Sequence, residues 1–181
     1  MALTLPDIER LFAEHGHLEY AGEGVTQLEH ALQSAQLAQG EGAPPELVTA
    51  ALLHDLGHML NLQGETPTIR GIDDQHQYFA VPFLRGLFPV AVIDAIRLHV
   101  DAKRALCALE DGYYEALSAD SKRSLELQGG IFSAEQLAAF RARPHAEDAM
   151  RLRRWDDAAK RPGTATPPLA HFLAIAARCA Q

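Results

Sequence analysis

Imidazole and carboxylate side chains set in an apolar frame are the groups of this chain best suited to chemistry. The stretch Ala50-Ala51-Leu52-Leu53-His54-Asp55-Leu56-Gly57-His58 places an adjacent His-Asp pair, and a further histidine four residues on, among small and leucine side chains. Such a pair must be satisfied, because an unpaired charge in an apolar setting costs several kcal/mol. Taken alone, the dipeptide reads first as a core histidine hydrogen-bonded to its neighbouring carboxylate and only second as metal ligands. His30, His76, His99 and Asp156 add further imidazoles and a carboxylate, all on predicted helices. Singly, each reads first as a structural or surface residue. Together with His54 and Asp55 they make a set that several helices, each offering one ligand, can bring to a point in a bundle core. Six such donors are too many for one zinc with an open position and suit two metals sharing a bridging carboxylate. The set is nitrogen and oxygen without thiolate, which fits iron, manganese or zinc. The other histidines of nine, His15, His17, His145 and His171, apart from His58, lie in polar or terminal contexts and are expected at the surface.

Helices must position these residues, and the sequence marks them out. A central helix is predicted from about Pro45 to Met59, with proline in its first turn, Glu46 beside it and apolar residues on nearly every side. On such a helix His54 and His58 share a face, with Asp55 about 100° round. Thr4 to Glu14 forms an amphipathic helix through Leu5, Ile8, Leu11 and Phe12, and His15 to Val25 is a loop. Thr26 and Glu29 form a capping box that opens a helix to about Gln39. Its stripe is Leu28, Ala31, Leu32 and Ala35. His30 lies off that stripe, on the face of Leu37, so this helix is expected to be covered on two sides.

Asn61 to Asp74 reads as a loop containing Gly64, Pro67 and Gly71. A helix then runs from Asp74 through Phe79 and Val81 to Gly86, and Pro82 leaves open a kink or a later start near Val81. Pro89 starts a helix through Val92, Ile93, Ile96, Val100 and Leu106, with His99 and Lys103 on one face. Tyr113 to Ala119 is ambiguous, and Ala119 to Leu127 is helical up to Gly129-Gly130. Ser133 and Gln136 form a second capping box, for a helix ending near Pro144. His145 to Lys160 turns Met150, Leu152 and Trp155 inward and carries Arg153 and Asp156. A last helix follows Pro167-Pro168, with Leu169, Phe172, Leu173 and Ile175 packing inward. With no strand in the pattern, the expected fold is all-α, a single helical domain over residues 1–181.

Composition narrows the function classes. Of 181 residues 48% are apolar and 22% charged, as in ordinary globular proteins. No apolar run reaches the length of a membrane span, and the first residues lack the basic-then-apolar order of an export signal. Cys107 and Cys179 form no paired motif, so free thiols and a cytoplasmic location are expected. A net charge of −8 speaks against nucleic acid as a partner. It leaves room for a small anionic ligand, which needs only a few local cations.

The order His30, His54-Asp55, Asp156 resembles the four-ligand signature of the HD-domain superfamily, most of whose members are metal-dependent phosphohydrolases. With His76 and His99 the set resembles the six-ligand variant that holds two metals. Within that variant the chain is most similar to the mixed-valent di-iron oxygenases that cleave organophosphonates, with inositol oxygenase a more distant relative. The similarity runs from about Tyr20 to Lys160. It rests on Tyr20-Ala-Gly-Glu23, Gln27-Leu-Glu-His30, the stretch Ala50 to His58, His99-Val-Asp-Ala-Lys103-Arg104, Leu125-Glu-Leu-Gln128-Gly-Gly130 and Arg153-Arg154-Trp155-Asp156.

The resemblance implies that His30, His54 and Asp156 hold one iron, His76 and His99 the other, and that Asp55 bridges them. It implies Tyr20 as a plug displaced by substrate, and Glu23 as a sensor of the substrate's amino group. His58, Lys103, Ser121 and Arg153 surround the phosphonate, with Gln128 nearby, and lysine and arginine are apt partners for a dianion. The implied cofactors are two iron ions, Fe(II) and Fe(III), with dioxygen as co-substrate. The implied reaction cleaves the C–P bond of 2-amino-1-hydroxyethylphosphonate, giving glycine and phosphate, or that of an N-methylated analogue. A separate hydroxylase would install the 1-hydroxyl. The Leu60–Gln75 loop is least like the family and is expected to shape the amine end of the pocket. A methylated ammonium would call for aromatic walls, for which Tyr78, Phe79, Tyr113 and Tyr114 are available. Two other classes remain: an HD phosphohydrolase acting on a nucleotide or small phosphate ester, and a catalytically silent helical module.

Overall fold

The computed structural model describes residues 2–20, 22–62 and 67–181; Gly64 and Met1 lie outside them. Helix α1 (Leu5–His15) opens where Thr4 and Asp7 satisfy each other's backbone amides, with proline in its first turn. An isolated bridge between Glu19 and Thr26 closes the following loop. It leads into α2 (Gln27–Gly40), which the Thr26–Glu29 capping box starts as expected. The face bearing His30 is covered as well as the apolar stripe, and His30 has no exposed surface. That cover ends before Leu37, which is 36% exposed.

The single helix expected from Pro45 to Met59 is divided into α3 (Pro45–Leu53) and α4 (Leu56–Leu60). The division falls on the His54-Asp55 pair. Asp55 takes φ −102° and ψ 11°, near the sparsely allowed bridge region between helix and strand. Its carbonyl accepts from the His58 amide at 3.0 Å, starting the new turn. The break frees Asp55 from the position about 100° round from His54 that a continuous helix would impose. No glycine or proline stands at the break, so periodicity alone could not reveal it.

The helix expected from Asp74 is likewise two single turns, α5 (His76–Phe79) and α6 (Val81–Leu84), which meet at Ala80. Pro82 sits in the first turn of α6, where its missing amide costs nothing. Before α5, Pro67–Arg70 forms a 3-10 turn, and Gln75 adopts a left-handed φ of 51° that swings His76 inward. Gly57 is where α4 meets this segment: a Cβ there would lie 2.1 Å from the His76 carbonyl oxygen.

The long α7 (Val90–Leu109) is followed by the one-turn α8 (Tyr113–Ala116) and by α9 (Ala119–Leu127), which Ser118 caps. Then come α10 (Ala134–Arg141), α11 (Ala146–Ala158) and α12 (Leu169–Ala177). Four of these form a ring: α3 packs on α2 and α7, and α11 packs on both α7 and α2. Ala35, Leu52, Ile96, Leu152 and Trp155 fill its interior, and α12 closes one side with Phe172 and Ile175. A smaller cluster of Leu98, Leu106, Phe140 and Met150 joins α7, α10 and α11. The protein is all-α, with no β-sheet among the described residues. None of their helices is long and apolar enough to cross a membrane.

Gly57→Ala sets a methyl against backbone that cannot give way, and is expected to lower stability by about 1–3 kcal/mol in urea unfolding. Gly40→Ala, where nothing lies within 4 Å, is expected to be neutral or stabilising in the same measurement.

Candidate dinuclear metal centre

Each helix of the ring delivers one ligand-type side chain to its interior: His30 from α2, His54 from the end of α3, His99 from α7 and Asp156 from α11. Asp55 enters from the helix break and His76 from the start of α5. Two groups result, and Asp55 belongs to both. Its Oδ2 lies 3.5 Å from His30 Nε2 and 3.4 Å from His54 Nε2. Asp156 Oδ1 completes that group, 3.3 Å from His30 Nε2. Asp55 Oδ1 faces the other way, 3.3 Å from His76 Nε2 and 3.7 Å from His99 Nε2.

The donor atoms fit metal ions. His30 Nδ1 lies 2.9 Å from the Ala159 carbonyl, His54 Nδ1 2.9 Å from that of Ala51 and His99 Nδ1 2.6 Å from that of Ile96. His76 Nδ1 lies 2.8 Å from Asp74 Oδ1. Carbonyls and carboxylates only accept, so each Nδ1 carries the proton and each Nε2 turns its lone pair inward. Those Nε2 atoms meet in pairs, His30 with His54 at 3.2 Å and His76 with His99 at 3.1 Å. Donors bound about 2.1 Å from one ion stand roughly 3.0–3.4 Å apart, the spacing seen here. Asp55 Oδ2 is buried without any hydrogen-bond partner, which a neutral pocket would penalise and a cation would satisfy.

Charges in the centre follow from burial and its partners. Burial works against ionising Asp55 and Asp156, yet His54 and His58 beside the first and Arg153 beside the second hold both carboxyls well below the usual range. Burial also lowers His54, but the two carboxylates outweigh it and push it up to about 10. A proton and a metal ion are alternative occupants of that lone pair, so metal binding releases a proton. Burial, reinforced by His76 and His54, lowers His99 well below its ordinary value and keeps it neutral.

Around the centre, Asp74 bridges two imidazoles, 2.8 Å from His76 Nδ1 and 2.6 Å from His58 Nδ1. His58 stacks on His76 with ring centroids 4.1 Å apart. Burial lowers His58, but Asp55 and Asp74 raise it to about 9. Tyr20 lies flat on His30, centroids 3.9 Å apart, with its hydroxyl 3.5 Å from Asp156 Oδ1. Burial and the nearby carboxylates raise the phenol well above its usual pKa, so it stays protonated.

A cavity of about 320 Å³ opens on the centre, within the size range of small-ligand sites. Lys103, Ser121, Gln128 and Arg153 line it, as do His58 and Tyr20. Lys103 is 2% exposed, and its Nζ donates to Ser124 Oγ at 2.6 Å. No carboxylate among the described residues lies within ion-pair distance of it. Burial, helped by Arg153, lowers its pKa to about 7. Arg153 instead binds Asp156 Oδ2 at 2.8 Å and Asp157 through two nitrogens. Its Nη2 also reaches Ser121 Oγ at 3.4 Å. Gln128 Oε1 is buried without a partner. Arg104 holds the backbone beyond Gln128 through the Gly129 and Gly130 carbonyls.

Glu23 is the exception among the expected residues, since it does not line the cavity. Its Oε1 sits 3.2 Å from Lys160 Nζ, and Lys160 takes the place on the wall. Tyr78, Phe79, Tyr113 and Tyr114 are absent from the wall as well. Asp74 and Lys160 escaped the sequence reading. The first was visible as a carboxylate two residues before the donor histidine His76, the second as a cation one helical turn after Asp156.

In metal titrations followed by calorimetry, the protein is expected to bind about two divalent ions per chain and His99→Ala about one. Asp55→Ala, which removes the ligand common to both groups, is expected to lose both.

The HD-domain family model matches residues 27–180. A hydroxymethylphosphonate dioxygenase of Gimesia maris is 44% identical over 163 residues, covering 90% of this chain and 81% of the relative. The [1-hydroxy-2-(trimethylamino)ethyl]phosphonate dioxygenase (glycine-betaine-forming) of Leisingera caerulea is 39% identical over 168 residues, covering 93% and 86%. An uncharacterized protein of Acanthamoeba polyphaga mimivirus is 31% identical over 168 residues, covering 91% and 76%. The chain belongs to the HD-domain family and, within it, to the organophosphonate dioxygenases.

Proposed function

We propose that the protein cleaves the C–P bond of a 1-hydroxylated organophosphonate with dioxygen, using two iron ions held by His30, His54, Asp55, His76, His99 and Asp156. The observation that carries this reading is the division of the Asp55 carboxylate between two donor sets, beside a cavity walled by Lys103 and Arg153. The stoichiometry is self-contained. R–CH(OH)–PO3H2 and one O2 yield R–COOH and H3PO4 with no further reductant. A pair of bound irons supplies the redox chemistry and a Lewis-acidic seat for substrate oxygens.

The chain's own residues bind and orient. Lys103, which has no carboxylate partner among the described residues, offers a cation to a phosphonate oxygen, and Ser121 Oγ adds a hydroxyl beside it. Arg153 is already neutralised by Asp156 and Asp157, so it contributes direction more than net charge. His58, anchored at Nδ1 by Asp74, keeps Nε2 for the ligand side. The amide of Gln128 offers an acceptor without a partner. Tyr20 covers the His30, His54 and Asp156 group and excludes water until a ligand displaces it. The substrate's C1–H is thereby held in one orientation, which is most of what a protein adds to such a reaction. The 1-hydroxyl must come from a prior hydroxylation by another enzyme.

Phosphate release from a panel of 1-hydroxyphosphonates by iron-loaded protein, with and without dioxygen, tests the reading. Release that requires dioxygen is expected, with one O2 consumed per phosphate. Release from phosphate esters in its absence would overturn the reading in favour of a phosphohydrolase. Lys103→Met is expected to raise KM by about tenfold to a hundredfold, the worth of a charge-assisted hydrogen bond. Burial draws the Lys103 pKa down to about 7 and bound cations would draw it lower still, so kcat/KM is expected to fall as pH rises toward and past neutrality. The descending limb should be absent from Lys103→Arg, whose guanidinium stays charged.

A further inference from the structure

We propose that Lys160 sets the substrate class: standing between Glu23 and the cavity, it reserves the site for 1-hydroxyphosphonates that carry no ammonium group. This inference rests on the oxygenase reading above and adds to it the chemistry of the substrate's other end.

Lys160 follows α11, four residues after Asp156. Its Nζ lies 3.2 Å from Glu23 Oε1 and 3.4 Å from Ser121 Oγ. It also lies 5.7 Å from the centroid of the Tyr20 ring. One ammonium thus touches a carboxylate and a hydroxyl of the phosphonate corner and stands over the covering aromatic. Lys160 lines the cavity and Glu23 does not. A carboxylate on the wall would receive a substrate ammonium, but Glu23 is paired within the protein and screened from the ligand by that pair. A substrate ammonium at this corner would have to displace Lys160 Nζ to reach the Glu23 carboxylate behind it.

Most of the other described carboxylates on the wall are engaged elsewhere. Asp74 is engaged by His58 and His76, and Asp120 by Arg123 and Thr68. Asp73 accepts from the Gln75 amide, and Glu19 is exposed. Asp55 and Asp156 belong to the metal set. A quaternary ammonium would need aromatic faces instead. Tyr20 is the only Phe, Tyr or Trp among the described lining residues, and one face lies on His30 while Lys160 stands over the ring. A compact substrate with a neutral end, such as hydroxymethylphosphonate, meets none of these obstacles.

The test compares hydroxymethylphosphonate with 2-amino-1-hydroxyethylphosphonate and its trimethylated analogue. Dioxygen consumption by iron-loaded protein is one readout, and anaerobic calorimetric binding is the other. The unaltered protein is expected to favour hydroxymethylphosphonate by about tenfold or more in kcat/KM and in affinity. Lys160→Met exposes Glu23 and should shift the ratio toward the 2-amino compound by about tenfold, through KM rather than kcat. Adding Glu23→Gln to that variant should abolish the shift, and Lys160→Arg should keep the original order. Preference of the unaltered protein for either ammonium-bearing compound would overturn the proposal, as would a Lys160→Met variant that weakens all three alike. Turnover of none of them would defeat the oxygenase reading, and the binding order and its response to Lys160→Met would still decide the role of Lys160.

Discussion

One carboxylate whose two oxygens face different histidine groups is the constraint on which this molecule depends. Asp55 can reach both groups only because the chain leaves helical geometry at that residue. Its backbone sits outside helical geometry, and the packing on either side decides where the chain turns. Here the surroundings are Leu52 and Leu53 before the break, Leu56 after it, and Gly57, whose missing Cβ admits the backbone of His76. The same few residues therefore hold the carboxylate shared by the two donor groups and bring up a donor of the second. Packing and metal-site geometry are one requirement at this point of the fold.

Burying so many polar groups demands charge balance, and the fold supplies it in layers. Imidazole Nδ1 atoms rest on the backbone carbonyls of Ala51, Ile96 and Ala159, which fixes the rings without adding charge. Asp74 does the same for His76 and His58 but brings a negative charge with it. Arg153 answers Asp156 and Asp157, and Lys160 answers Glu23. These pairs gain Coulomb energy and lose solvation, so their net worth to stability is small and their worth to geometry large. Lys103 stands outside this balance as a buried cation with no acidic partner among the described residues, and burial draws its pKa down accordingly. An isolated buried ammonium is costly in a purely structural role, which sets Lys103 apart from Arg153 although both line the same wall.

Much of the architecture was legible in the chain because its signals are local. The Thr26–Glu29 and Ser133–Gln136 capping boxes and the prolines ahead of α3, α7 and α12 act within a turn, so the helices begin where those residues place them. The chemistry of the donor set was legible too, since imidazoles and carboxylates without thiolates limit it wherever they meet. The break at His54-Asp55 was not legible, because the alanines and leucines before it and Leu56, Met59 and Leu60 after it carry a helical preference through it. Nor was the order of importance among the cations, since lysine or arginine on a helix looks alike whether solvated or buried.

The sequence by itself determined the all-α class, the helix starts, and a set of six nitrogen and oxygen donors spaced along separate helices. Only the tertiary structure decided that Asp55 divides its oxygens between two groups and that Asp74 steadies two imidazoles. It alone decided that Lys160 stands on the cavity wall with Glu23 behind it. The reason is distance along the chain. Capping and periodicity act over three or four residues, whereas Glu23 and Lys160, like Asp55 and Asp156, meet only when the ring of α2, α3, α7 and α11 has closed.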